Sequence, residues 1–434
     1  MKLRIGLKTE YFYVVVEYLC AFLIVGSYLS TRYISLFAAI VAALFILIAK
    51  SDEQAIAILV FLLPFSGVFT LSTGTTSLYM LLRIACIFRL LLRRRINIKF
   101  SLALLVLAIY CLFSMFAGNT SGIVRIINLI IWFLIGLSIV EFSGDNSRAI
   151  VSRAFAQGTI LSCVIGYNMS LIPNLQREVV FTSYLNESTG EFITRFSGLW
   201  NDPNGLTVLI VSAMFLIGLC LNRKEIHSIE FYIYTLVLTV FGLLTLSKSC
   251  IILIIVFWMY MLLSKSEIKF FQKIAILGIG SVAIIYMLFS MSDTVLELVS
   301  RFTSSRTSST GITSGRTDLW KMYFNNMSFQ TWIIGKGINV ELPYGRAAHN
   351  TIIQVVYNIG VFGGAIWFGL FSLLYKMSND RSQKRLVIPL LSIMTTMFFL
   401  DGMFIELFYI LLPLMFVCSF IDVTNVKGKI IEIF

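Results

Sequence analysis

Residues 204–222 read NGLTVLIVSAMFLIGLCLN and contain no charged side chain over nineteen positions. A helix of about 20 apolar residues is long enough to cross the hydrocarbon core of a bilayer. Similar apolar runs recur along the whole chain, of which 58% is hydrophobic and 13% charged. Such runs predict membrane-spanning helices, because a helix satisfies its own backbone hydrogen bonds inside lipid. They exclude a soluble domain, and they are too long for the alternating strands of a membrane β-barrel.

We therefore predict an all-α, polytopic membrane protein of about 14 (12–14) transmembrane helices, forming a single integral membrane domain over residues 1–434. The span near 77–92 is also compatible with a re-entrant segment. All seven cysteines lie in apolar runs, which favours core packing over disulfides or a cysteine-metal site. The predicted spans lie near 11–30, 33–49, 54–71, 77–92, 100–117, 122–141, 149–172, 204–222, 228–246, 249–264, 273–291, 351–375, 386–401 and 404–421.

The charges of the connections predict how the helices are oriented. Basic residues recur in alternate connections, such as MKLRIGLK at the N-terminus and RRRINIK at 93–99. The short connections between them, such as STGTTS at 72–77, lack lysine and arginine. By the positive-inside rule, both termini are predicted to be cytoplasmic and two long loops, 173–203 and 292–350, to lie outside. The net charge of +12 then reflects cytoplasmic loops and does not indicate nucleic acid.

The second outer loop is basic although it lies on the side where the short connections lack basic residues. Arg301, Arg306 and Arg316 come with glycine, serine and threonine, and few carboxylates balance them. This composition predicts an anion-binding surface, with a merely solvated loop as the alternative. His349 and Asn350 end the loop where the next apolar run begins. Histidine titrates near neutral pH, so His349 suits proton transfer.

A short amphipathic helix is predicted from Thr317 to Phe324, with Trp320 and Tyr323 on a face toward the membrane interface. Arg316 would lie at the start of this helix. A cation is unfavourable there because of the helix dipole, which favours a role for Arg316 in binding phosphate.

Three other groups of polar residues are predicted at the outer ends of spans. Asn204 follows Pro203 in the first outer loop and is predicted to cap the span that it opens. Lys248 lies in a turn between two spans, where its side chain either reaches the headgroups or faces a polar cavity. Asp401 and Glu406 are alternative bases, or partners, for His349.

Taken in chain order, these motifs resemble those of the O-antigen polymerase and O-antigen ligase superfamily. Lys248 departs from the family pattern, which usually has arginine after the serine; lysine keeps the charge and loses the bidentate fork. The resemblance covers residues 190–365, and its elements are Arg195 with Gly198, Pro203 with Asn204, Ser247 with Lys248, Gly315 and Arg316 with Trp320, Gly335 with Gly337, and His349 with Asn350.

The resemblance implies a GT-C-like, metal-independent inverting glycosyltransferase that needs no cofactor. It would act at the periplasmic or outer face of the bacterial inner membrane, on a glycan carried by undecaprenyl diphosphate. A chain-length regulator and a flippase are the protein partners that it implies. We predict a repeat-unit polymerase for O-antigen, capsule or exopolysaccharide. A ligase acting on lipid A core and a lipid-linked oligosaccharide flippase are the alternatives, the flippase with Arg83 and Arg125 as mid-span charges.

The resemblance also implies a role for each candidate residue. His349 would take the proton from the attacking sugar hydroxyl or orient that hydroxyl, and Arg316 would stabilise the charge that develops on the leaving diphosphate. The predicted diphosphate-binding residues are Arg195, Arg316, Arg301, Arg306 and Lys248, and the supporting residues are Gly315, Trp320, Asn204 and Asn350.

Overall fold

A computed structural model of the chain describes most of its apolar segments. The described residues are 2–29, 31–71, 77–93, 97–117, 122–142, 148–171, 180–185, 192–263, 316–338, 347–378, 383–385, 387–398, 400, 403 and 405–422. The predicted span near 273–291 lies outside them, as does most of the second outer loop.

Helices dominate the described part, which confirms the all-α class. The helices are α1 Lys2–Leu29, α2 Tyr33–Ile48, α3 Asp52–Leu62, α4 Tyr79–Leu92, α5 Ile98–Ala117, α6 Ile123–Phe142, α7 Arg148–Ser170, α8 Pro203–Asn222, α9 Ser228–Leu244, α10 Lys248–Leu263, α11 Arg316–Asn325, α12 Phe329–Ile334, α13 Thr351–Met377, α14 Val387–Thr396 and α15 Glu406–Cys418. Two antiparallel strand pairs accompany them: β1 Phe181–Leu185 with β2 Phe192–Phe196, and β3 Gln383–Arg385 with β4 Phe420–Asp422.

Every predicted span except the one near 273–291 coincides with a described helix. Five helices are long and apolar enough to cross a membrane: Ile98–Phe116, Ile123–Phe142, Arg148–Ser170, Pro203–Asn222 and Thr351–Met377. The chain is thus an integral membrane protein, whereas the total of about 14 spans stays a prediction. We call the end of the bundle where α8, α10 and α13 begin the outer end, following the charge-based prediction.

Helix α8, the stretch quoted at the start, lies at the centre of the bundle. Its membrane-length window is 94% buried, compared with 33% for α5 at the periphery. The helix is apolar on all sides, as a helix surrounded by other helices must be. It packs against α7, α9, α10, α14 and α15.

Buried charges in the bundle are held by ion pairs and backbone carbonyls. Arg83 Nη1 on α4 lies 3.0 Å from Glu406 Oε2 at the start of α15. Arg89 Nη2 lies 2.7 Å from Asp52 Oδ1. Both terminal nitrogens of the Arg89 guanidinium also donate to carbonyls at the end of α2. Breaking such a buried pair strands a charge in low dielectric, so the ion pairs of Arg83 and Arg89 stabilise the helix arrangement. Arg125 is exposed, and its Nη1 donates to the carbonyl of Ile338 over 3.3 Å.

Helix α13 is interrupted at Gly360, where φ is 64° and ψ is −178°. The carbonyls of Tyr357 and Asn358 therefore lose their helical partners beyond the break. They accept instead from the backbone N–H groups of Lys336 and Gly337, each over 2.9 Å. An irregular backbone is tolerated at membrane depth only where its polar groups find such partners.

Helix α12 docks onto this break and onto α5. Tyr110 OH donates to the carbonyl of Ile333 over 3.3 Å, and Ser114 Oγ donates to that of Ile334 over 2.9 Å. The backbones approach so closely that a Cβ at Gly335 would overlap the carbonyl of Asn358. A Cβ at Gly360 would likewise overlap the carbonyl of Ile333. Both positions also have positive φ, so glycine is required at each by the close contact and by the backbone conformation.

Candidate functional site

A β-hairpin within the first outer loop positions Arg195, although the sequence predicted no strand there. Strands β1 and β2 pair in antiparallel register, with Thr182 opposite Arg195. Phe196 is fully buried and packs against Phe181 and Phe241, with ring centroids 5.6 Å away in both cases. Since successive strand residues point to opposite faces, burial of Phe196 turns Arg195 away from this aromatic cluster.

Arg195 is held at the outer end by residues from two other segments. Its Nε donates to the carbonyl of Thr245 over 2.9 Å, and its Nη2 donates to Asn204 Oδ1 over 3.3 Å. Ser247 Oγ donates to the same Asn204 oxygen over 3.2 Å. Lys248 follows directly as the first residue of α10. We call Arg195, Asn204, Ser247 and Lys248 the Arg195 cluster; folding joins Arg195, Asn204 and Ser247, and Lys248 belongs to the cluster as the chain neighbour of Ser247.

The prediction that Asn204 caps α8 is wrong. Asp202 is the N-cap, with extended backbone, and its carboxylate accepts from the N–H groups of Asn204 and Gly205. Pro203 occupies the first helical position, where its missing N–H costs nothing. Asn204 is therefore the second helical residue, two positions after the N-cap, and does not cap the helix. Its side chain is instead available to Arg195 and Ser247.

The second half of the site surrounds His349. Helix α11 begins at Arg316, as predicted. Trp320 Nε1 on this helix donates to the carbonyl of Ala348 over 3.0 Å. The N–H of Ala348 donates to Gln354 Oε1 over 3.2 Å. We call this arrangement the Ala348 clamp; it holds the peptide groups on both sides of the residue before His349.

His349 itself is exposed and has a φ of 48°, a left-handed conformation that is uncommon outside glycine. Asn350 then caps α13, its Oδ1 accepting from the N–H groups of Ile352 and Ile353. The imidazole is thus presented to solvent between a clamped residue and a helix cap. This is a geometry in which an incoming hydroxyl can reach it.

The predicted interfacial face of α11 is wrong. Tyr323 is fully buried, and its ring packs edge-on against Tyr357, with centroids 4.8 Å apart. Its hydroxyl donates to Gln354 Oε1 over 3.4 Å. Trp320 is partly buried through the Ala348 clamp. The ammonium of Lys336 lies 5.1 Å from the centre of the Tyr357 ring. The ring of Tyr323 thus packs onto α13 and leaves another face of α11 exposed.

Helix α14 connects the two halves of the site. The N–H of Thr351 donates to the carbonyl of Met397 over 2.9 Å, and Thr351 Oγ1 donates to that of Leu400 over 2.8 Å. The residues that follow α14 are therefore attached to the first residue of α13. The same helix packs against α8 and α10, whose first turns carry Asn204 and Lys248. Helix α14 thus packs against the two helices that begin at the Arg195 cluster, and the residues that follow it contact the start of α13.

Other predicted site residues are placed elsewhere or not described. Arg301, Arg306, Gly315 and Asp401 lie outside the described residues. Glu406 is engaged by Arg83, as noted above, which makes it a poor candidate for a base. Among the described residues, no three His, Cys, Asp or Glu side chains are grouped so that they could hold a metal ion.

Sequence reasoning overlooked Gln354. It lies four residues after Asn350 in an apolar run, and it is buried. A carboxamide in such a run is costly to bury unless it is hydrogen-bonded, and that was the available signal. Its partners were not predictable, because Tyr323 is 31 positions away in the chain.

Replacing Gln354 with leucine should remove the acceptor for both Ala348 N–H and Tyr323 OH. A buried donor without a partner costs about 1–3 kcal/mol, so we expect a lower unfolding midpoint in detergent and a loosened His349. Gln354→Glu, which keeps an acceptor oxygen, should retain more activity than Gln354→Leu. The exposed Gln330 provides the matched control, Gln330→Leu. Wild-type midpoint and activity in Gln354→Leu would show that the clamp is dispensable.

The fold and the site together define a class: an integral membrane protein with clustered cations and a histidine at one end of a helical bundle. Residues 233–368 match the family model described as O-antigen ligase. This match confirms the predicted resemblance to the O-antigen ligase and polymerase superfamily over that segment. It includes Lys248, Arg316 and His349, whereas Arg195 and Asn204 precede it. No curated protein matches the chain.

Proposed function

We propose that the protein is a polysaccharide repeat-unit polymerase. It transfers a growing glycan from undecaprenyl diphosphate to the next lipid-linked repeat unit. The observation that carries this proposal is the hydrogen-bonded group of Arg195, Asn204 and Ser247 at the outer end, of which Ser247 and its neighbour Lys248 lie in the segment that matches the family. Arg195 and Lys248 come from segments far apart in the chain, and the hydrogen bonds of Asn204 bring those segments together.

The charge of the site fits a diphosphate leaving group. As the bond between the anomeric carbon and the diphosphate oxygen breaks, the oxygen keeps the electron pair and negative charge grows on the phosphates. Fixed guanidinium groups stabilise that charge more strongly in the transition state than in the ground state. Arg195 is held by two hydrogen bonds and is therefore already oriented. Arg316 and Lys248 supply further positive charge, so no metal ion is required.

His349 supplies the base in this proposal. The acceptor sugar hydroxyl attacks the anomeric carbon from the face opposite the diphosphate, which inverts the configuration. A new carbon–oxygen bond forms as the old one breaks, and the hydroxyl proton passes to the imidazole. The exposed position of His349 next to the capped start of α13 leaves room for an acceptor.

A ligase remains the second candidate, because the matching family is described as O-antigen ligase. A ligase would use the same donor and the same leaving group, with lipid A core in place of the second repeat unit. A flippase is the third candidate, with Arg83 and Arg125 as its predicted mid-span charges. Arg83 is buried and paired with Glu406, which favours a structural role for it, and Arg125 is exposed and donates to the carbonyl of Ile338.

Reconstitution in liposomes separates the three candidates. Purified protein is supplied with a lipid-linked repeat unit, alone or together with lipid A core. A ladder of longer lipid-linked glycans without the core supports the polymerase. Transfer only to the core would replace it with the ligase. Movement of the repeat unit across the bilayer without chain growth would overturn both.

Arg195→Lys and Arg316→Lys should each lower polymer formation by more than about tenfold, since a single ammonium cannot reproduce a bidentate fork. For Arg195 the reason is that two different nitrogens make its contacts: Nε donates to the carbonyl of Thr245 and Nη2 donates to Asn204 Oδ1. Lys321→Gln is the control, because Lys321 is 75% exposed and its pairing with Asp318 is a surface contact of small value. Full activity in both lysine variants would show that charge alone suffices.

A further inference from the structure

Helix α12 lies below the outer end of a membrane helix. Its last two carbonyls are bound by Tyr110 and Ser114 of α5. These residues lie seven and three positions before the end of α5 at Ala117. At a rise of about 1.5 Å per residue, the contacts lie roughly 5–10 Å below that end. Helix α5 is among those long and apolar enough to cross the membrane, so α12 reaches into the depth of the outer leaflet.

The face of α11 and α12 turned away from the bundle is aromatic. Phe329 is 83% exposed, and Phe324 and Trp332 are also exposed. The rings of Phe324 and Trp332 stack in parallel, with centroids 5.8 Å apart. On α5, Phe113 and Phe116 are exposed in the same turns that hold α12. Helix α5 thus exposes aromatic side chains at the depth where α12 is bound to it.

Exposed polar side chains lie before and among these aromatic residues. Lys321 and Asp318 are exposed three and six positions before Phe324, and Asn325, Asn326 and Gln330 are exposed between Phe324 and Trp332. An aromatic side chain left in water forgoes about 1.5–3 kcal/mol of burial energy, and three such side chains together make a water-facing position costly. Tryptophan and other aromatic residues are favoured where a membrane meets water.

We propose that α11 and α12 form a membrane-interface hairpin, in which Phe324, Phe329 and Trp332 insert into the outer-leaflet lipid. The occupant of this surface is lipid, because α12 is bound to α5 below its outer end, at the depth where α5 itself exposes Phe113 and Phe116. A stacking platform for glycan is the competing interpretation, and it requires the same rings to face water.

The hairpin has a consequence that rests on the proposed function. Arg316 opens α11, and Trp320 of the same helix holds Ala348 beside His349. Anchoring the hairpin in lipid therefore sets the height of both residues relative to the membrane. The diphosphate of a polyprenyl-linked substrate lies at the level of the headgroups, and the anchor keeps the cation and the base at that level.

Spin labelling of the full chain in lipid nanodiscs tests the insertion directly. All seven native cysteines are buried, so Phe329→Cys provides the accessible thiol. Phe113→Cys serves as the lipid-facing reference and Lys321→Cys as the water-facing reference. Collision of each label with oxygen, which concentrates in lipid, is compared with collision with a water-soluble nickel chelate.

The label at position 329 should resemble that at 113, with an oxygen-to-nickel collision ratio several-fold higher than at 321. A ratio at 329 equal to that at 321 would overturn the proposal. If added oligosaccharide then shielded the label from nickel, the glycan platform would replace it. The measurement does not depend on catalysis, so a failure of the insertion proposal is distinguishable from a failure of the polymerase assignment.

Discussion

Replacing His349 with alanine should abolish polymer formation while leaving protein levels in the membrane close to normal. Loss of a positioned general base typically costs about 10²–10⁴-fold in rate. The side chain is exposed and the neighbouring helix is capped by Asn350, so little packing is lost. The substitution also affects the backbone, because φ is 48° at this position and alanine disfavours that conformation. His349→Asn addresses it, since asparagine tolerates the left-handed region better than alanine.

Both variants should fail in the liposome assay with a lipid-linked repeat unit, although they retain the wild-type unfolding midpoint. The other histidine, His227, precedes α9 and provides the control His227→Ala, which should remain active. Near-normal polymer from His349→Asn would remove the imidazole from the mechanism. Activity lost in alanine and retained in asparagine would assign His349 a conformational role only.

Gly360→Ala should disrupt the outer part of the bundle. Alanine at positive φ costs about 1–2 kcal/mol, and the new methyl group overlaps the carbonyl of Ile333. The docking of α12 would have to give way, and with it the hydrogen bonds from Lys336 and Gly337 to the end of the first half of α13. We expect a large fall in the yield and unfolding midpoint of the detergent-solubilised protein, and loss of activity.

The same helix supplies a matched control. A Cβ at Gly369 meets no atom within 4 Å, and alanine is favoured over glycine in a helix by about 1 kcal/mol. Gly369→Ala should therefore be neutral or slightly stabilising. The two variants are compared by size-exclusion chromatography after heating. Equal unfolding midpoints for Gly360→Ala and Gly369→Ala would show that glycine at position 360 is not needed for the stability of the bundle.

The pattern of apolar residues in the sequence was sufficient to predict the helices, and the first helical residue Arg316 agreed with its prediction. Uncharged runs such as 204–222 must be helical in lipid whatever lies around them, because the backbone has no other donors. The position of His349 and Asn350 at the start of α13 follows from the same local signal. These features depend on residues close together in the chain.

The contacts between segments far apart in sequence were decided by tertiary structure. Asn204 accepts from Arg195 and from Ser247, which lies 43 positions away in the chain. Tyr323 turns inward because Gln354 and Tyr357 lie there. The break at Gly360 exists because α12 supplies the missing donors. Each depends on partners brought together by the packing of apolar faces, and the direction of that packing is not encoded in any single stretch. The sequence by itself therefore determined the helices and the residue types of the site, and the tertiary structure determined which of those residues meet.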